Sequence, residues 1–293
     1  MTHSNPPALA LARKLTAELV GTMLLVAIVV GSGIMASRLS PADTGVQLLQ
    51  NSIATALGLA VLIAVLGPAS GAHFNPVVSL VDAALSRRDH ARASRAHPTG
   101  AGAPPRTGLS SAELGGYIAA QLAGGIAGAV LANLMFQVPT SMAATYRVDG
   151  GRLLAEVVAT AGLVLVIVAL SRSGKAAAIA PAVGAYIGAA YWFTSSTSFA
   201  NPAVTVGRVF SDTFAGIASS SVLPFIAAQL VGGALGAALA VFLHPAPALA
   251  PAPDSATTDA APDPGHAPTA DPDPAPAPAS GATRPTASAT ASN

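Results

Sequence analysis

Two short stretches of sequence decide the fold: SGAHFNPVVSL at residues 70–80 and SFANPAVTVGR at residues 198–208. Each contains an Asn-Pro pair, at Asn75 and at Asn201. Asn is a preferred N-cap of helices, and Pro suits the first helical position. The apolar run that follows each pair is about ten residues long, too short for a bilayer, which takes about 20 residues to cross. The pattern predicts two half-helices, each preceded by extended chain that enters the membrane from the face by which the half-helix leaves.

The remainder of the chain has the composition of a membrane protein. Of its 293 residues, 52% are hydrophobic and only 9% are charged, whereas soluble domains carry about 25% charged residues. Six apolar runs approach the length needed to span hydrocarbon: residues 15–36, 48–67, 112–136, 153–170, 176–195 and 222–243. We therefore predict an all-α membrane protein with six transmembrane helices and two re-entrant half-helices.

The chain contains an internal repeat of three spans, with Asn-Pro between the second and third span of each copy. YIAAQLAGGIAGAVL (117–131) matches FIAAQLVGGALGAAL (225–239), and LTAELVGTMLLV (15–26) matches LLAEVVATAGLVLV (153–166). Repeat 1 covers about residues 11–136 and repeat 2 about residues 150–243. Because three is an odd number, repeat 2 enters the membrane from the opposite side. Such an inverted repeat places a pathway at the interface of its two halves.

Inversion brings the two half-helix N-termini together near the middle of the membrane. Their dipoles place partial positive charge there, and the Asn75 and Asn201 amides can donate hydrogen bonds to a passing oxygen. Backbone carbonyl groups of the extended segments supply acceptors, at Gly71, Ala72, His73, Phe74, Thr197, Ser198, Phe199 and Ala200. A path of this kind replaces the hydrogen bonds of a neutral solute and repels cations.

The Asn-Pro boxes, the AEL and AEV of the first span in each repeat, and the paired AAQL resemble the major intrinsic protein family of aquaporins and aquaglyceroporins. The resemblance covers about residues 11–243. It implies six tilted helices and two half-helices, a pore in each subunit, and a homotetramer in a lipid bilayer that passes small neutral solutes. The pore-centre residues that it implies are Asn75, Pro76, Val77, Asn201, Pro202 and Ala203.

Two residues depart from the pattern of that family. Val77 stands in the first box, where the family usually has Ala, and its extra methyl groups are expected to crowd the Asn pair slightly. Val204 directly follows the second box, where the family usually places the Arg of its outer constriction. By the family pattern, the other constriction positions fall on Thr55, Ala189 and Ser198. The resemblance thus implies a constriction that is wider than usual and uncharged.

Arg208 lies one helical turn beyond Val204, and two interpretations stay open for it. Its side chain either reaches back to the pore mouth or extends to the outer surface, where it would neutralise the half-helix C-terminus. Tyr191, Trp192 and Phe193, at the outer end of the fifth span, leave a similar choice between anchoring at the membrane interface and lining the pore mouth.

Glu18 and Glu156 are ionisable groups inside spans, at equivalent positions of the two repeats. Such groups are functional candidates in a membrane, and here they suit an ion-coupled secondary transporter. The family resemblance implies instead that each carboxylate accepts hydrogen bonds from the re-entrant backbone and holds it in place. We predict a passive channel for water and small neutral solutes (glycerol-like polyols, urea, or neutral metalloid hydroxides such as arsenite), with the ion-coupled transporter as the alternative.

The segments outside the spans differ from them in composition. Residues 1–10 form a short N-terminal segment, residues 86–108 a basic loop predicted to be flexible, and residues 244–293 a Pro/Ala-rich tail predicted to be disordered. With the N-terminus inside, ten of the 14 Lys and Arg residues lie inside. This bias favours cytoplasmic N- and C-termini, and we expect a multi-pass protein of the plasma membrane.

The residues that several other functions need are absent from the sequence. The chain contains no Cys, and His73 has no His, Cys or carboxylate at ligand spacing, so that we expect no metal site and no cofactor. The sequence contains no Ser/His/Asp set in a plausible context and no phosphate-binding loop, so that we do not expect an enzyme. The net charge is +1, and its basic residues are spread over several loops, which gives nucleic acid no surface to bind.

Overall fold

Long apolar segments with few charges form helices in a bilayer, because a helix satisfies every backbone N–H and C=O group within one segment. The computed structural model describes residues 7–96 and 108–245, and every regular element in these two ranges is helical. Six of the described helices are long and apolar enough to cross a membrane. They are α1 (Pro7–Leu39), α2 (Thr44–Ser70), α4 (Ser111–Phe136), α5 (Gly150–Arg172), α6 (Ile179–Phe193, after a 3₁₀ turn at Ala176–Ala178) and α8 (Val222–Leu243, after a 3₁₀ turn at Ser219–Ser221). Five of the six predicted spans coincide with these helices to within four residues, and α1 begins eight residues before the predicted start of the first span.

The two Asn-Pro stretches begin the remaining helices, α3 (Pro76–Ala96) and α7 (Pro202–Gly207, continued by a 3₁₀ turn at Arg208–Phe210). The Asn201 side chain caps α7 by accepting the backbone N–H of Ala203 at 2.9 Å. Asn75 caps α3 by accepting that of Val77 at 2.9 Å. Pro holds the first helical position in both, where a missing N–H leaves no hydrogen bond unmade. The prediction of two half-helices is confirmed.

α3 continues further than the sequence predicted, which corrects the flexible loop expected at residues 86–108. Residues 86–96 belong to the helix. Asp89 on this extension accepts Arg172 Nη2 of α5 at 2.7 Å, and Arg172 also donates to the His244 carbonyl beyond α8. These bonds fix the extension against two spans. The rest of that loop, the start of the N-terminal segment and the predicted tail lie outside the described residues, at 97–107, 1–6 and 246–293.

The helices pack as two equivalent halves. In the first half α1 contacts α2 and α4, and in the second half α5 contacts α6 and α8. The halves meet where α2 contacts α6. Each half-helix packs both on its own half, α3 on α4 and α7 on α8, and on the opposite half, α3 on α8 and α7 on α4. This exchange is typical of an inverted repeat with re-entrant segments. We call the side of the molecule at which α3 ends the α3 side, and the opposite side, at which α7 ends, the α7 side.

Glycine lets the paired helices approach closely. A Cβ atom on Gly128 of α4 would lie 2.2 Å from the Met23 carbonyl oxygen of α1. In the second half, a Cβ atom on Gly236 of α8 would lie 2.2 Å from the Ala161 carbonyl oxygen of α5. Neither position has room for a side chain, as is typical of small residues between membrane helices. These close contacts fix the walls between which the re-entrant segments lie.

Candidate functional site

The extended segments before α3 and α7 share an unusual backbone. In both, three residues adopt the left-handed conformation, a region that costs a non-glycine residue about 1–2 kcal/mol. The equivalent pairs have closely similar φ angles: Gly71 (90°) and Thr197 (62°), Ala72 (50°) and Ser198 (52°), Phe74 (49°) and Ala200 (48°). Strain of this kind persists only where the surroundings fix the backbone, so each segment needs an anchor.

The buried glutamates provide these anchors. Glu18 accepts the backbone N–H groups of His73 at 3.0 Å and Phe74 at 2.7 Å. Glu156 accepts those of the two equivalent residues, Phe199 and Ala200, at 2.9 Å each. Both carboxylates are 0% exposed, and a buried charge is tolerated when hydrogen bonds satisfy it. The geometry agrees with the structural role that the resemblance implies.

Two glutamines that the sequence analysis noted only as part of the AAQL repeat complete this support. Gln121 Nε2 donates to Glu18 at 2.7 Å and to the Ser79 hydroxyl of α3 at 2.9 Å. Gln229 Nε2 makes the equivalent bonds to Glu156 at 2.7 Å and to Thr205 of α7 at 2.9 Å. Each glutamine therefore ties a carboxylate to a half-helix. The signal was present in the sequence, since a polar residue recurs at the same place in two apolar spans.

The two Asn-Pro boxes meet at the centre of the molecule. Asn75 Nδ2 donates to the Ala200 carbonyl at 2.8 Å, and Asn201 Nδ2 donates to the Phe74 carbonyl at 2.8 Å. Each amide thus donates one N–H to a carbonyl group of the opposite repeat. An Asn amide has two N–H donors, and both Asn residues line a cavity, so the second N–H of each can serve a molecule inside it.

That cavity has a volume of about 430 Å³ and reaches from Asp82 and Arg172 on the α3 side to Tyr191 and Arg208 on the α7 side. Its walls between the polar ends are mostly aliphatic, with Leu25, Val29, Leu59, Leu163 and Val183 among them. Of the eight residues predicted to supply carbonyl groups, seven line it: Gly71, Ala72, His73, Phe74, Ser198, Phe199 and Ala200. Thr197 is not among the lining residues. A mostly apolar lining with a small number of polar groups is typical of sites for small molecules.

Three of the four predicted constriction residues line the cavity, namely Thr55, Ser198 and Val204. The Thr55 hydroxyl lies 3.1 Å from the Tyr191 hydroxyl. The Ser198 hydroxyl is buried and has no hydrogen-bond partner among the described residues. Val204 is uncharged and 5% exposed. This part of the cavity therefore offers hydroxyl groups and one aliphatic side chain.

The prediction for Ala189 needs a correction, because the structure places this residue on the exposed surface of α6. The residues of α6 that line the cavity are Ile179, Val183, Ile187 and Tyr191, each about one helical turn from the next. Ala189 lies two positions from Ile187 and so on another face. The expectation counts along the family pattern without gaps, and the apolar sequence of α6 gives little indication of which face points inward. Tyr191 is buried and lines the cavity, while Trp192 and Phe193 are exposed.

The box residues beside the two asparagines do not face the cavity. Val77 is 2% exposed, is not among the cavity-lining residues and packs with Val164 and Val168 of α5. A Cβ atom on Gly233 of α8 would lie 2.3 Å from Val77 Cγ1, so the glycine makes room for the larger side chain. This packing corrects the expectation that the methyl groups of Val77 crowd the Asn pair. The remaining box residues, Pro76, Pro202 and Ala203, are likewise buried at the first turns of α3 and α7.

Of the two positions left open for Arg208, the structure excludes the one in which the side chain extends to the outer surface. Its side chain is 4% exposed and lines the cavity on the α7 side. The guanidinium carbon lies 3.5 Å from the centroid of the Phe199 ring, and Nε donates to the Ala215 carbonyl. The repeat-equivalent residue in the first half, Asp82, lines the cavity on the α3 side. The two ends of the cavity therefore differ in charge.

His73, for which we expect no metal-binding role, is held by protein groups. Its Nδ1 atom lies 3.0 Å from the Ser79 hydroxyl, and its ring lies edge-on to that of Tyr117 at 5.4 Å between centroids. Within residues 7–96 and 108–245, no three His, Asp or Glu side chains are grouped to hold a metal ion. His73 thus lines the cavity while its ring is held by Ser79 and Tyr117.

Known proteins resemble this chain in sequence and in fold. The profile of the family described as major intrinsic protein matches residues 7–95. Aquaglyceroporin AqpS of Rhizobium meliloti (strain 1021) is 45% identical over 230 residues, which are 78% of this chain and 89% of that protein. Aquaporin NIP6-1 of Arabidopsis thaliana is 40% identical over 82 residues, 27% of this chain and 25% of that protein. The X-ray structure of the aquaglyceroporin from Plasmodium falciparum covers 80% of this chain and 95% of its own, with a TM-score of 0.54 at 19% identity.

Proposed function

The chain belongs to the major intrinsic protein family and is a multi-pass membrane channel for water and small solutes, not an enzyme, and from this premise we propose that it conducts neutral solutes larger than water. The solutes are glycerol-like polyols, urea and neutral metalloid hydroxides such as arsenite. They move passively, down their own gradients, through the cavity between the two repeats.

Val204 is the observation that carries this proposal. It lines the cavity directly after the second box, at the position where the family resemblance implies an Arg. Valine is shorter than arginine and carries no charge, and its neighbours Thr55 and Ser198 in the cavity wall are also small. Selectivity in such a pore depends on its diameter and on the donors and acceptors that line it. A small aliphatic residue here favours solutes that an arginine would exclude by size.

The cavity wall suits a solute with hydroxyl groups on a carbon backbone. Carbonyl groups of the two re-entrant segments accept from the solute, and the free N–H groups of Asn75 and Asn201 donate to it near the centre. The aliphatic side chains across the cavity contact its C–H groups. A solute that enters the cavity gives up its hydrogen bonds with water, and these groups replace them, so the desolvation cost of a neutral solute stays small. An ion would lose more hydration free energy than these groups return.

The choice of solutes rests on two further observations. The chain is 45% identical to a protein named as an aquaglyceroporin, which supports polyols. Trivalent arsenic binds thiols, and the chain has no Cys, so no protein thiol would retain arsenite on its way. Urea is of similar size to these solutes and is uncharged.

Assembly and orientation complete the proposal. The protein forms a homotetramer in the plasma membrane, with one pore per subunit and both termini in the cytoplasm. The tetramer is supported by the family resemblance, and the orientation by the ten Lys and Arg residues, of 14, that it places inside. In this orientation the α3 side faces the cytoplasm.

The test is solute flux into proteoliposomes, followed by light scattering after rapid mixing. Purified full-length protein should accelerate the entry of glycerol, urea and arsenite over protein-free vesicles, in proportion to the concentration gradient and without saturation in the millimolar range. Sucrose, which is larger and more heavily hydrated, serves as the impermeant control. Entry of water but of none of the three solutes would contradict the proposal and leave a water channel.

The same vesicles distinguish the channel from an ion-coupled transporter that uses Glu18 or Glu156. An imposed proton gradient should leave the rate of glycerol entry unchanged, because both carboxylates are occupied by backbone N–H groups. Flux that saturates at low solute concentration and follows the proton gradient would support the transporter instead.

A further inference from the structure

Arg208 stands one helical turn from the residue that follows the second box. Residues four apart on a helix lie on the same face, and accordingly Val204 and Arg208 both line the cavity. The uncharged level at Val204 is thus followed, toward the α7 side, by a level that carries a guanidinium group. Any molecule that uses the cavity from that side passes Arg208 before it reaches Val204.

The Arg208 side chain is fixed at two points. The guanidinium carbon lies over the Phe199 ring, 3.5 Å from the ring centroid, and Nε donates to the Ala215 carbonyl. A guanidinium group has five N–H donors, and the described residues accept only the one on Nε. The Nη1 and Nη2 groups therefore stay available at the edge of the cavity.

The charge of Arg208 is not neutralised by an ion pair. Within residues 7–96 and 108–245, no carboxylate lies within 4.0 Å of its nitrogens, since the ion pairs found there are Lys14–Glu113, Arg152–Asp149 and Arg172–Asp89. Glu156 of the same repeat interacts with Arg208 electrostatically, but its oxygens accept from Phe199, Ala200 and Gln229. Positive charge therefore dominates at this end of the cavity.

A second cation adds to this charge. The Arg147 guanidinium carbon lies 5.4 Å from the centroid of the same Phe199 ring, and its Nε donates to the Gly216 carbonyl at 2.8 Å. Burial, followed by repulsion from Arg152, lowers the pKa of Arg147 to about 10, so that it stays charged at neutral pH. Arg147 does not line the cavity. It adds to the positive potential near the ring, while Arg208 lines the cavity.

We propose that Arg208 adds a barrier to protons and other cations beyond that of the half-helix dipoles and of desolvation, and that it leaves the width of the pathway to Val204. Size selection and charge selection are then divided between two residues one turn apart. A fixed positive charge beside a narrow, poorly hydrated passage raises the barrier for cations and leaves neutral solutes largely unaffected. This inference deepens the proposed function, because it assumes that solutes follow the cavity.

The absence of cysteine from the chain permits a direct test. The Arg208→Cys variant is reconstituted in proteoliposomes, and proton leak is measured with an internal pH dye next to glycerol flux. The ratio of proton leak to glycerol flux should rise at least about tenfold over the native protein, which corresponds to about 1.4 kcal/mol of barrier. Reaction with a trimethylammonium-ethyl thiosulfonate then attaches a fixed positive charge through a disulfide and should lower the ratio again. The neutral methyl thiosulfonate should not.

Arg38 supplies a matched control. It lies near the end of α1 on the α7 side and is exposed. Like Arg208, it donates to a carbonyl group, that of Phe136, and its guanidinium carbon lies near an aromatic ring, 5.4 Å from the centroid of Phe136. It does not line the cavity. The Arg38→Cys variant should show the native ratio before and after either reagent. A change as large as that at Arg208 would overturn the assignment, because the effect would then reflect surface charge.

Further variants of Arg208 distinguish a failure of this proposal from misfolding and from a failure of the proposed function. Arg208→Gln and Arg208→Lys are measured beside the cysteine variant, and the Lys variant should stay nearer to the native ratio because it keeps the charge. The proposal is overturned if the Gln variant keeps the native ratio, or if charged and neutral reagents act alike on the thiol of the Arg208→Cys variant. Native vesicles without glycerol flux would instead contradict the proposed function itself.

Discussion

At the scale of the residue, Val204 gives the most direct prediction of selectivity. Val204→Arg should reduce glycerol flux at least about tenfold and water flux much less, since a larger side chain in the same passage raises the barrier mainly for the larger solute. The measurement is stopped-flow light scattering on proteoliposomes with equal protein content.

Val204→Leu separates width from charge. The leucine variant adds bulk without a charge and should also favour water over glycerol, though less than the arginine variant. Val204→Ala should retain glycerol flux. If water and glycerol fall by the same factor in the arginine variant, this position does not set the size limit.

The buried glutamates give a second prediction at this scale. Glu156→Gln should destabilise the protein by about 2–4 kcal/mol, because a buried carboxylate that accepts from Phe199, Ala200 and Gln229 is replaced by a group with one acceptor and an unwanted donor. The midpoint of thermal unfolding in detergent measures this change. Its control is Asp149→Asn, an exposed N-cap of α5, which should cost at most about 0.5 kcal/mol, since Asn caps as well as Asp.

The glycerol flux of the Glu156→Gln variant distinguishes a structural role of Glu156 from a role in ion-coupled transport. We expect the glycerol flux of the Glu156→Gln protein that remains folded to be independent of an imposed proton gradient, like that of the native protein. A stable variant in which a gradient-dependent native flux has been lost would contradict the structural role and identify Glu156 as a coupling residue.

At the scale of the element, glycines decide how closely the helices pack. Gly128 and Gly115 both lie in α4, but a Cβ atom on Gly128 would lie 2.2 Å from the Met23 carbonyl oxygen, whereas nothing lies within 4 Å of one on Gly115. Gly128→Ala should therefore destabilise the protein by about 1–3 kcal/mol through overpacking. Gly115→Ala should be neutral or stabilise it by about 0.5–1 kcal/mol, because alanine favours a helix. Thermal unfolding of both variants checks this, and equal effects would contradict the close contact of α1 and α4.

The elements also show where prediction from the sequence reached its limit. The caps and the Pro residues of α3 and α7 follow local rules, so both helix starts were predictable. The end of α3 was not, because its extension is fixed by Arg172 of α5, which binds Asp89 from a distant part of the chain. The facing of α6 was missed for another reason. Core and lipid are both apolar, so a membrane helix carries little pattern to say which side faces inward.

At the scale of the whole molecule, the inverted repeat fixes which loops share a side. Ala42 between α1 and α2 lies on the α7 side, and Ala176 between α5 and α6 lies on the α3 side. Both are exposed. In intact cells a membrane-impermeant maleimide should label Ala42→Cys, and it should label Ala176→Cys only after the cells are permeabilised, if the α3 side is cytoplasmic.

The native chain, which has no Cys, is the blank for this experiment. The opposite labelling pattern would reverse the proposed orientation and keep the fold. Labelling of both variants in intact cells would contradict the placement of the two loops on opposite sides of the membrane.

The sequence by itself determined the parts of this protein that depend on local chemistry and on symmetry: the six spans, the two capped half-helices, the inverted repeat and the paired glutamates. The tertiary structure decided what depends on distant parts of the chain. Val77 fits because Gly233 leaves room for it, and Arg208 lies beside the cavity because Phe199 and the Ala215 carbonyl hold it there. Spacing along a helix shows which residues share a face, but only packing shows what that face contacts.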